Sequence, residues 1–279
     1  NVFAGPVVGV GFAADLVAGA PRVQPFTTPS DQDAIVEVCN HGNQPASTVE
    51  VSLVASADAV IEVPGVNPSL DFEVGAAFSG APLNPGACRD VTVPLFGAPL
   101  PPGEAFLAAF ADPYLSQTEL LEDNNVSAPV AYGVGFDADL VVAAVNPGFF
   151  DAQQFQRPVD VTVCNHGNVF SPASDVAVVL SADTNLDISN PAPGGDVEVG
   201  QAPIPGLDLG ACAPVTVQTF GAPVPDGAYY VGAIVDPFGS IPELLESNNS
   251  AVGRRIAVGF GTDLQVRSAT PQAFLPNGT

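Results

Sequence analysis

One seven-residue motif occurs three times in this chain at equal spacing. Its copies are residues 10–16 (VGFAADL), 134–140 (VGFDADL) and 258–264 (VGFGTDL), so successive copies lie 124 residues apart. Equal spacing of this kind indicates a chain built from copies of one structural unit. Apolar residues continue through each copy without a Gly/Ser linker. We therefore predict that the last strand of one unit runs directly into the first strand of the next, which makes a stiff junction and favours a mechanical role.

The motif copies also set the predicted domain boundaries. We expect one domain at residues 1–132, a second at 133–257, and the beginning of a third copy at 258–279. The total of 279 residues agrees with a prior of about two domains of roughly 100–200 residues each. With 47 % hydrophobic residues, the chain can build a sizeable core.

The charge of the chain excludes several classes of partner. There are 30 acidic residues against six arginines and no lysine, which gives a net charge of −24. Nucleic acids and anionic membrane surfaces need a basic surface to bind, so neither is an expected partner. No stretch approaches the roughly 20 apolar residues that span a bilayer, so membrane insertion is not expected. The simplest interpretation of the acidity is that it keeps a hydrophobic-rich chain soluble.

Four cysteines fall two per repeat, at matching positions: Cys39, Cys88, Cys164 and Cys212. An even number paired within each repeat predicts one disulfide per domain and an oxidising compartment, hence a secreted or cell-surface protein. A metal site is the alternative. Cys39 and His41 would share a strand face, as would Cys164 and His166, but each set offers three ligands with no fourth.

The pattern of short apolar runs predicts an all-β chain. Each repeat shows about seven strands separated by Pro-, Gly- and Asn-rich turns, which is typical of an antiparallel sandwich of immunoglobulin type. Residues 34–39 and 159–164 alternate and end in an Asn-His-Gly-Asn turn, with residues 49–54 and 176–180 as their predicted hairpin partners. Residues 125–134 and 250–258 should close the two units. The disulfides would then join the second and fifth strands within one sheet, and the phenylalanines are expected to lie mostly in the core.

Three short motifs recur in both repeats and carry a family resemblance. They are Asp15-Leu16 and Asp139-Leu140, the turns at residues 40–42 and 165–167, and the Asp…Glu…Asn-Asn segments that end at Asn125 and Asn249. The repeat resembles the CARDB family of cell-adhesion-related domains over residues 10–257. The resemblance implies an immunoglobulin-like sandwich in secreted or surface proteins of bacteria and archaea, without catalytic activity. Where that family usually has more polar residues, this chain has Leu-Leu at 120–121 and 244–245, which predicts local packing, for example against the neighbouring domain.

The acidic segments are candidate calcium sites. Carboxylates of these residues could converge on an ion that takes six to eight oxygens: Asp112, Glu119, Glu122, Asp123, Asp236, Glu243 and Glu246. The alternative, which we favour, is that the Asn-Asn pair caps a turn and the acids are solvated. Ser247 replaces Asp123 in the second copy, which weakens a shared site. Apart from calcium, no cofactor is expected.

Three Asn-x-Ser/Thr sequons are candidate glycosylation sites, at Asn125, Asn248 and Asn277. The first two lie in matching loops of the two repeats, so any glycan there is expected on the surface.

Catalytic residues are not expected. The two histidines occupy the same turn in different repeats, so they cannot act as a pair within one domain. No zinc-protease, nucleophile-elbow or phosphate-binding motif is present. Acids are so abundant that any carboxylate pair is uninformative.

The third motif copy suggests a mode of self-assembly. Asp263, Leu264, Gln265 and Val266 should form an opening strand with no domain of its own, and an unpaired hydrophobic strand is a liability that proteins cover or use. We expect it to dock on another copy of the chain and propagate head-to-tail into a filament, or to continue into further domains of a longer protein. The predicted function is thus a rigid extracellular rod or filament subunit. The alternative is a stalk or a carbohydrate- or protein-binding adhesion module.

Overall fold

The computed structural model describes residues 9–62, 71–97, 99–148, 157–186, 196–220 and 224–259. These residues form fifteen β-strands and contain no α-helix. Accordingly, this part of the chain has no helix that could cross a membrane. The predicted all-β class is confirmed.

Eight strands belong to the first repeat. They are β1 (Leu16–Ala18), β2 (Arg22–Val23), β3 (Gln32–Asn40), β4 (Glu50–Ser56), β5 (Phe72–Phe78), β6 (Cys88–Leu95), β7 (Gly103–Ala111) and β8 (Val130–Val134). One sheet places β3 between β6 and the short pair β1 and β2, and the other has the order β5-β4-β7-β8. All the strand pairings are antiparallel.

Seven strands form the second repeat. They are β9 (Leu140–Pro147), β10 (Pro158–Asn165), β11 (Ser174–Ser181), β12 (Val197–Ile204), β13 (Cys212–Gln218), β14 (Gly227–Val235) and β15 (Ser250–Val258). Their sheets have the orders β13-β10-β9 and β12-β11-β14-β15, so β9 takes the place of the broken pair β1 and β2. The two repeats therefore share one strand topology.

The sheet assignments refine the predicted sandwich. Strand β5 pairs with β4, and its counterpart β12 pairs with β11, whereas constant-type immunoglobulin domains place the equivalent strand in the sheet of the first two strands. The predicted hairpins of residues 34–39 with 49–54 and of residues 159–164 with 176–180 are wrong, because β4 pairs with β5 and β7, and β11 pairs with β12 and β14. Alternating burial identifies a strand face, but it does not reveal which sheet the strand joins.

Small aliphatic side chains build the core of each sandwich. The buried residues form two clusters, one from Ala14 to Tyr132 and one from Ala138 to Ile256, and both consist almost entirely of Val, Leu, Ile and Ala. The expectation that phenylalanines fill the core is wrong. Of the described phenylalanines only Phe110 is buried, while these are exposed: Phe12, Phe78, Phe96, Phe136, Phe170, Phe220 and Phe238.

The closing strand of the first repeat is shorter than predicted. Strand β8 begins at Val130, whereas its counterpart β15 begins at Ser250. Pro129 precedes β8, and a proline has no backbone N–H to contribute to a ladder. The first part of the predicted strand at residues 125–134 therefore lies outside the sheet, apart from an isolated bridge between Phe110 and Val126.

Both predicted disulfides are present. Cys39 pairs with Cys88, and Cys164 with Cys212, with sequence separations of 49 and 48 residues. Each pair joins directly opposed residues of the second strand and the strand beside it. Cys88 and Cys212 are exposed, so the bonds lie within one sheet rather than across the core. The alternative of a cysteine–histidine metal site is thereby excluded for the oxidised protein.

Candidate functional site: the motif network and the junction between repeats

The family motifs meet at one end of each sandwich. In the second repeat the backbone N–H of Leu140 donates to Oε2 of Glu243. The amide of Asn249 donates to the other oxygen, Oε1, at 2.9 Å. Glu243 is only 8 % exposed. A buried carboxylate thus joins the opening strand to the loop between the last two strands.

Asp139 and Asn165 extend this network to the second strand. The backbone N–H of Asp139 donates to Oδ1 of Asn165 at 3.1 Å, and Asn248 donates to Oδ1 of Asp139 at 2.9 Å. Asn165 is fully buried, and its own amide donates to the carbonyls of Val169 at 2.8 Å and Leu207 at 3.0 Å. The Asp-Leu, Asn-x-Gly and Glu…Asn-Asn motifs therefore form one hydrogen-bonded cluster.

The first repeat contains the same cluster. Leu16 donates to Glu119 as Leu140 does to Glu243. The remaining counterparts are Asn125 to Glu119 at 2.8 Å, Asn124 to Asp15 at 2.8 Å and Asp15 to Asn40 at 3.1 Å. We call the two clusters the motif networks; they comprise Asp15, Leu16, Asn40, Glu119, Asn124 and Asn125 in the first repeat, and Asp139, Leu140, Asn165, Glu243, Asn248 and Asn249 in the second.

Burial perturbs the acids of the motif networks. Desolvation raises the pKa of Glu119 to about 7 and that of Glu243 to about 8, although each accepts hydrogen bonds that favour the charged form. Burial likewise raises the pKa of Asp139 to about 6. A perturbed carboxyl group marks many active sites, but both oxygens of each glutamate are engaged by N–H groups of the fold. These acids act as structural acceptors.

Asp112 and Asp236 begin the loop between the last two strands of their repeats. Both have positive φ, 48° and 44°, a conformation that aspartate tolerates better than most residues. Asp236 accepts hydrogen bonds from the Ser240 hydroxyl at 2.6 Å and the Ile241 N–H at 2.8 Å. Burial alone would raise the pKa of Asp236, but these hydrogen bonds outweigh it and the pKa is lowered. Asp112 accepts equivalent bonds from Ser116 and Gln117.

The predicted calcium ligands all lie in the described part of the chain, but no three of them have ligand atoms within 4.8 Å of one another. Asp112 and Glu119 accept hydrogen bonds from the fold, while Glu122 and Asp123 are exposed. Among the described residues, the one group of three metal-ligating side chains with ligand atoms within 4.8 Å of one another is Glu37, Cys39 and Cys88. Its two sulfurs form a disulfide. Calcium binding therefore stays a prediction that this geometry does not support.

Two of the three sequon asparagines belong to the motif networks. Asn125 is 4 % exposed, and its amide nitrogen donates to Ala111 and Glu119. Asn248 uses its amide nitrogen for Asp139. A glycan on either nitrogen would have to displace these bonds, so the expected surface position does not hold for Asn125. Asn277 lies outside the described residues.

The junction between the repeats is braced from both sides. The Cα of Gly133 packs so closely on Leu244 that an added Cβ would lie 2.5 Å from the Leu244 Cβ. Leu244 is buried at 4 % exposure, as the Leu-Leu departure from the family pattern predicted. The hydroxyl of Ser247 donates to Glu104 at 2.9 Å.

Backbone atoms complete the junction. The N–H of Phe26 in the first repeat donates to the carbonyl of His166 in the second at 3.4 Å. The amide of Asn168 donates to the carbonyl of Gly135 at 2.9 Å. His166 is half-buried, and desolvation lowers its pKa. On the side of the second repeat, the junction residues come from the turn after β10 and from the loop between β14 and β15. The same two elements hold the motif network of that repeat.

Sequence reasoning missed a cleft beside this junction. The cleft has a volume of about 390 Å³. Its aromatic lining consists of Phe26, Phe96, Tyr132 and Phe136. Residue type alone did not predict that Phe96 and Phe136 are exposed. The available indication was that Phe12 and Phe136 each directly follow a glycine within the seven-residue motif.

Taken together, the two-sheet topology and the motif network define an immunoglobulin-like β-sandwich domain. A comparison with protein families identifies the particular kind: residues 137–252 match the CARDB family model. The second repeat is therefore similar to CARDB domains, a non-enzymatic family of immunoglobulin-like domains, and this similarity suggests an adhesion-related module of a larger protein. The first repeat shares its topology, disulfide and motif network.

Solved CARDB structures resemble the chain. A crystal structure of the CARDB domain of the PF1109 protein from Pyrococcus furiosus, in complex with di-metal ions, is 18 % identical; the match covers 45 % of this chain and 96 % of that one, with a TM-score of 0.29. A solution NMR structure of the same domain is also 18 % identical and covers 44 % and 97 %, with a TM-score of 0.29. No curated protein matches the chain.

Proposed function

We propose that the chain is a non-catalytic extracellular structural protein, a rigid rod or filament subunit that assembles head-to-tail through residues 263–266. The observation that carries this proposal is the braced junction, where Gly133 packs on Leu244 and Ser247 donates to Glu104. The two repeats join without a flexible linker, and both of them contribute side-chain and backbone contacts to the junction. Such a junction resists bending. The disulfides and the CARDB domain are compatible with an extracellular location.

Small-angle scattering tests the rod. The chain should give the dimensions of one elongated particle, and a variant with a Gly-Ser insertion between Gly135 and Phe136 should give a broader distribution of distances. A matched insertion between Asn84 and Pro85, in an exposed turn within the first repeat, should leave the distribution unchanged. If the wild-type chain already behaves as two lobes that move independently, the rod proposal fails.

Light scattering and negative-stain imaging test the assembly. The predicted strand at residues 263–266 lies outside the described residues, so its role rests on the third motif copy alone. Deletion of residues 261–279 should abolish concentration-dependent polymer. Alternation in a strand puts Leu264 and Val266 on one face, so Leu264→Asp with Val266→Asp should also abolish it, whereas Gln265→Asp should not. Unchanged polymer in the deletion variant would refute head-to-tail docking.

A second candidate function is an adhesion or stalk module of a larger surface protein. The exposed phenylalanines Phe96 and Phe136 favour it, because they line one cleft and a contiguous exposed apolar patch often marks an interaction surface. A monomeric chain that binds a glycan or a protein partner would support this function over the filament. A chain that stays monomeric and binds neither a glycan nor a protein would contradict both the filament and the adhesion function.

A further inference from the structure

The cleft between the repeats differs from the rest of this acidic protein. Fifteen residues line it, and none of them is charged, although the chain carries 30 acidic residues. The cleft volume of about 390 Å³ falls in the range of small-ligand sites, about 300–1,000 Å³.

Aromatic rings supply the apolar part of this cleft. Phe96 is 54 % exposed and Phe136 is 74 % exposed. Phe26 is half-buried, while Tyr132 is buried at 7 % exposure. Two rings that belong to different repeats and remain open to solvent offer flat apolar faces to a ligand held between them.

Two amide side chains supply unpaired acceptors at the same cleft. Asn168 donates its nitrogen to the Gly135 carbonyl, and Gln32 donates its nitrogen to the Gln24 carbonyl at 3.1 Å. Because each nitrogen has an acceptor, the orientation of each amide is fixed. Among the described residues, neither Oδ1 of Asn168 nor Oε1 of Gln32 has a hydrogen-bond partner.

Six buried amide oxygens of the described residues have no hydrogen-bond partner, and these two are the ones at the cleft. Buried polar atoms are normally hydrogen-bonded, and an acceptor oxygen needs a donor such as a hydroxyl group. Both oxygens are covered by neighbouring groups, so a ligand hydroxyl reaches them only where side chains at the cleft move aside. Asn168 is 5 % exposed, so it is a buried residue of the cleft wall rather than a surface amide.

We propose that the cleft between the repeats binds a neutral saccharide, whose apolar ring face stacks on Phe96 and Phe136 and whose hydroxyls donate to Asn168 and Gln32. The absence of charge in the lining and the net charge of −24 disfavour acidic glycans and other anions. A cation would find no carboxylate in this lining. The ligand is therefore uncharged, rich in hydroxyl donors and apolar on one face, which is the chemistry of a neutral sugar ring.

An array of neutral and acidic oligosaccharides, followed by calorimetry, tests the proposal on the whole chain. We expect a neutral oligosaccharide to bind, and Phe96→Ala or Phe136→Ala to weaken binding about tenfold. Phe238→Ala is the matched control, because Phe238 is 75 % exposed like Phe136 but does not line the cleft. It should leave the affinity unchanged. Gln32→Leu, which removes the acceptor at nearly constant volume, should also weaken binding.

Three outcomes would overturn the proposal. One is that no neutral glycan binds, and another is that acidic glycans bind better than neutral ones. The third is that Phe96→Ala and Phe136→Ala reduce self-association of the chain without changing glycan binding, which would identify the cleft as an interface between copies. Melting curves keep these results interpretable, since both phenylalanines are exposed and their loss should not unfold the protein.

Discussion

The backbone N–H of Leu140 donates to the carboxylate of Glu243, which lies 103 residues later in the chain. The first repeat has the same bond between Leu16 and Glu119 at the same separation of 103 residues. In both sandwiches, therefore, a buried glutamate ties the first strand to the last loop. This arrangement explains why each repeat carries an acid, an Asn-Asn pair and an Asp-Leu strand at fixed spacing.

Removal of this glutamate should destabilise its repeat. Glu243→Ala leaves the N–H groups of Leu140 and Asn249 without their acceptor, and unpaired buried donors cost about 1–3 kcal/mol each. We expect the free energy of unfolding of the second repeat to fall by at least that amount in urea denaturation. Asp208→Ala, at an exposed position of the same repeat, should change it by less than about 0.5 kcal/mol. Equal effects of the two variants would contradict the structural role.

Stability should fall as pH rises from about 4.5 to about 8. The pKa of Glu243 is raised to about 8 and that of Glu119 to about 7 from an ordinary value of 4.5, so the folded state binds more protons than the unfolded state across this window. Stability then decreases with increasing pH, by about 1.4 kcal/mol for each unit of pKa difference. Below pH 4.5 both states are protonated, and the contribution of these two groups is constant.

Urea denaturation at pH 5, 6, 7 and 8 measures this slope. Repulsion among the many other carboxylates also lowers stability with rising pH. The control is therefore the same pH dependence measured for the double variant Glu119→Ala/Glu243→Ala. The double variant should show a shallower dependence than the wild type. A wild-type chain that becomes more stable from pH 5 to pH 8 would refute the raised pKa values.

Each disulfide should stabilise its own repeat. The bonds close loops with sequence separations of 49 and 48 residues, for which the chain-entropy model gives on the order of 4 kcal/mol. Replacement of Cys39 and Cys88 by alanine should lower the melting temperature of the first repeat only, and the matching pair Cys164 and Cys212 that of the second. Differential scanning calorimetry resolves the two. A loss shared equally by both repeats would show that they unfold as one unit.

The junction should not tolerate a side chain at residue 133. The Cβ of Gly133→Ala would lie 2.5 Å from the Cβ of Leu244 and 3.1 Å from its backbone, so the two repeats must separate or tilt. We expect altered scattering dimensions and reduced protection of Leu244 from hydrogen exchange. Gly97→Ala is the control, because no atom lies within 4 Å of its added Cβ. Identical scattering from both variants would contradict the packed junction.

Much of the fold follows from the sequence, because local signals specify it. Alternation and turn residues located the strands, and equal spacing of the cysteines predicted the pairs Cys39–Cys88 and Cys164–Cys212. The sheet to which β4 belongs was not predictable, since alternation reports burial and not pairing. The exposed phenylalanines were missed because side-chain hydrophobicity does not determine position when Val, Ala and Leu already fill the interior.

The motif network was only half predictable. The recurring residues were recognised, but the acids were interpreted as calcium ligands or solvated groups. Glu119 and Glu243 each precede a Leu-Leu pair, and an acid beside two large apolar residues was the available sign of burial. Its partner N–H lies more than 100 residues away, and no local pattern predicts such a contact.

The long separation between Leu16 and Glu119 has a consequence for synthesis. A ribosome delivers the opening strand first and its acceptor only after the rest of the sandwich has been made, so each domain stays incomplete until its final loop emerges. Contacts of this kind slow folding because a large loop must close before they form. During synthesis, the edge of the early strand therefore stays unpaired for the time needed to translate a whole domain, and a chaperone that covers it would protect the nascent chain.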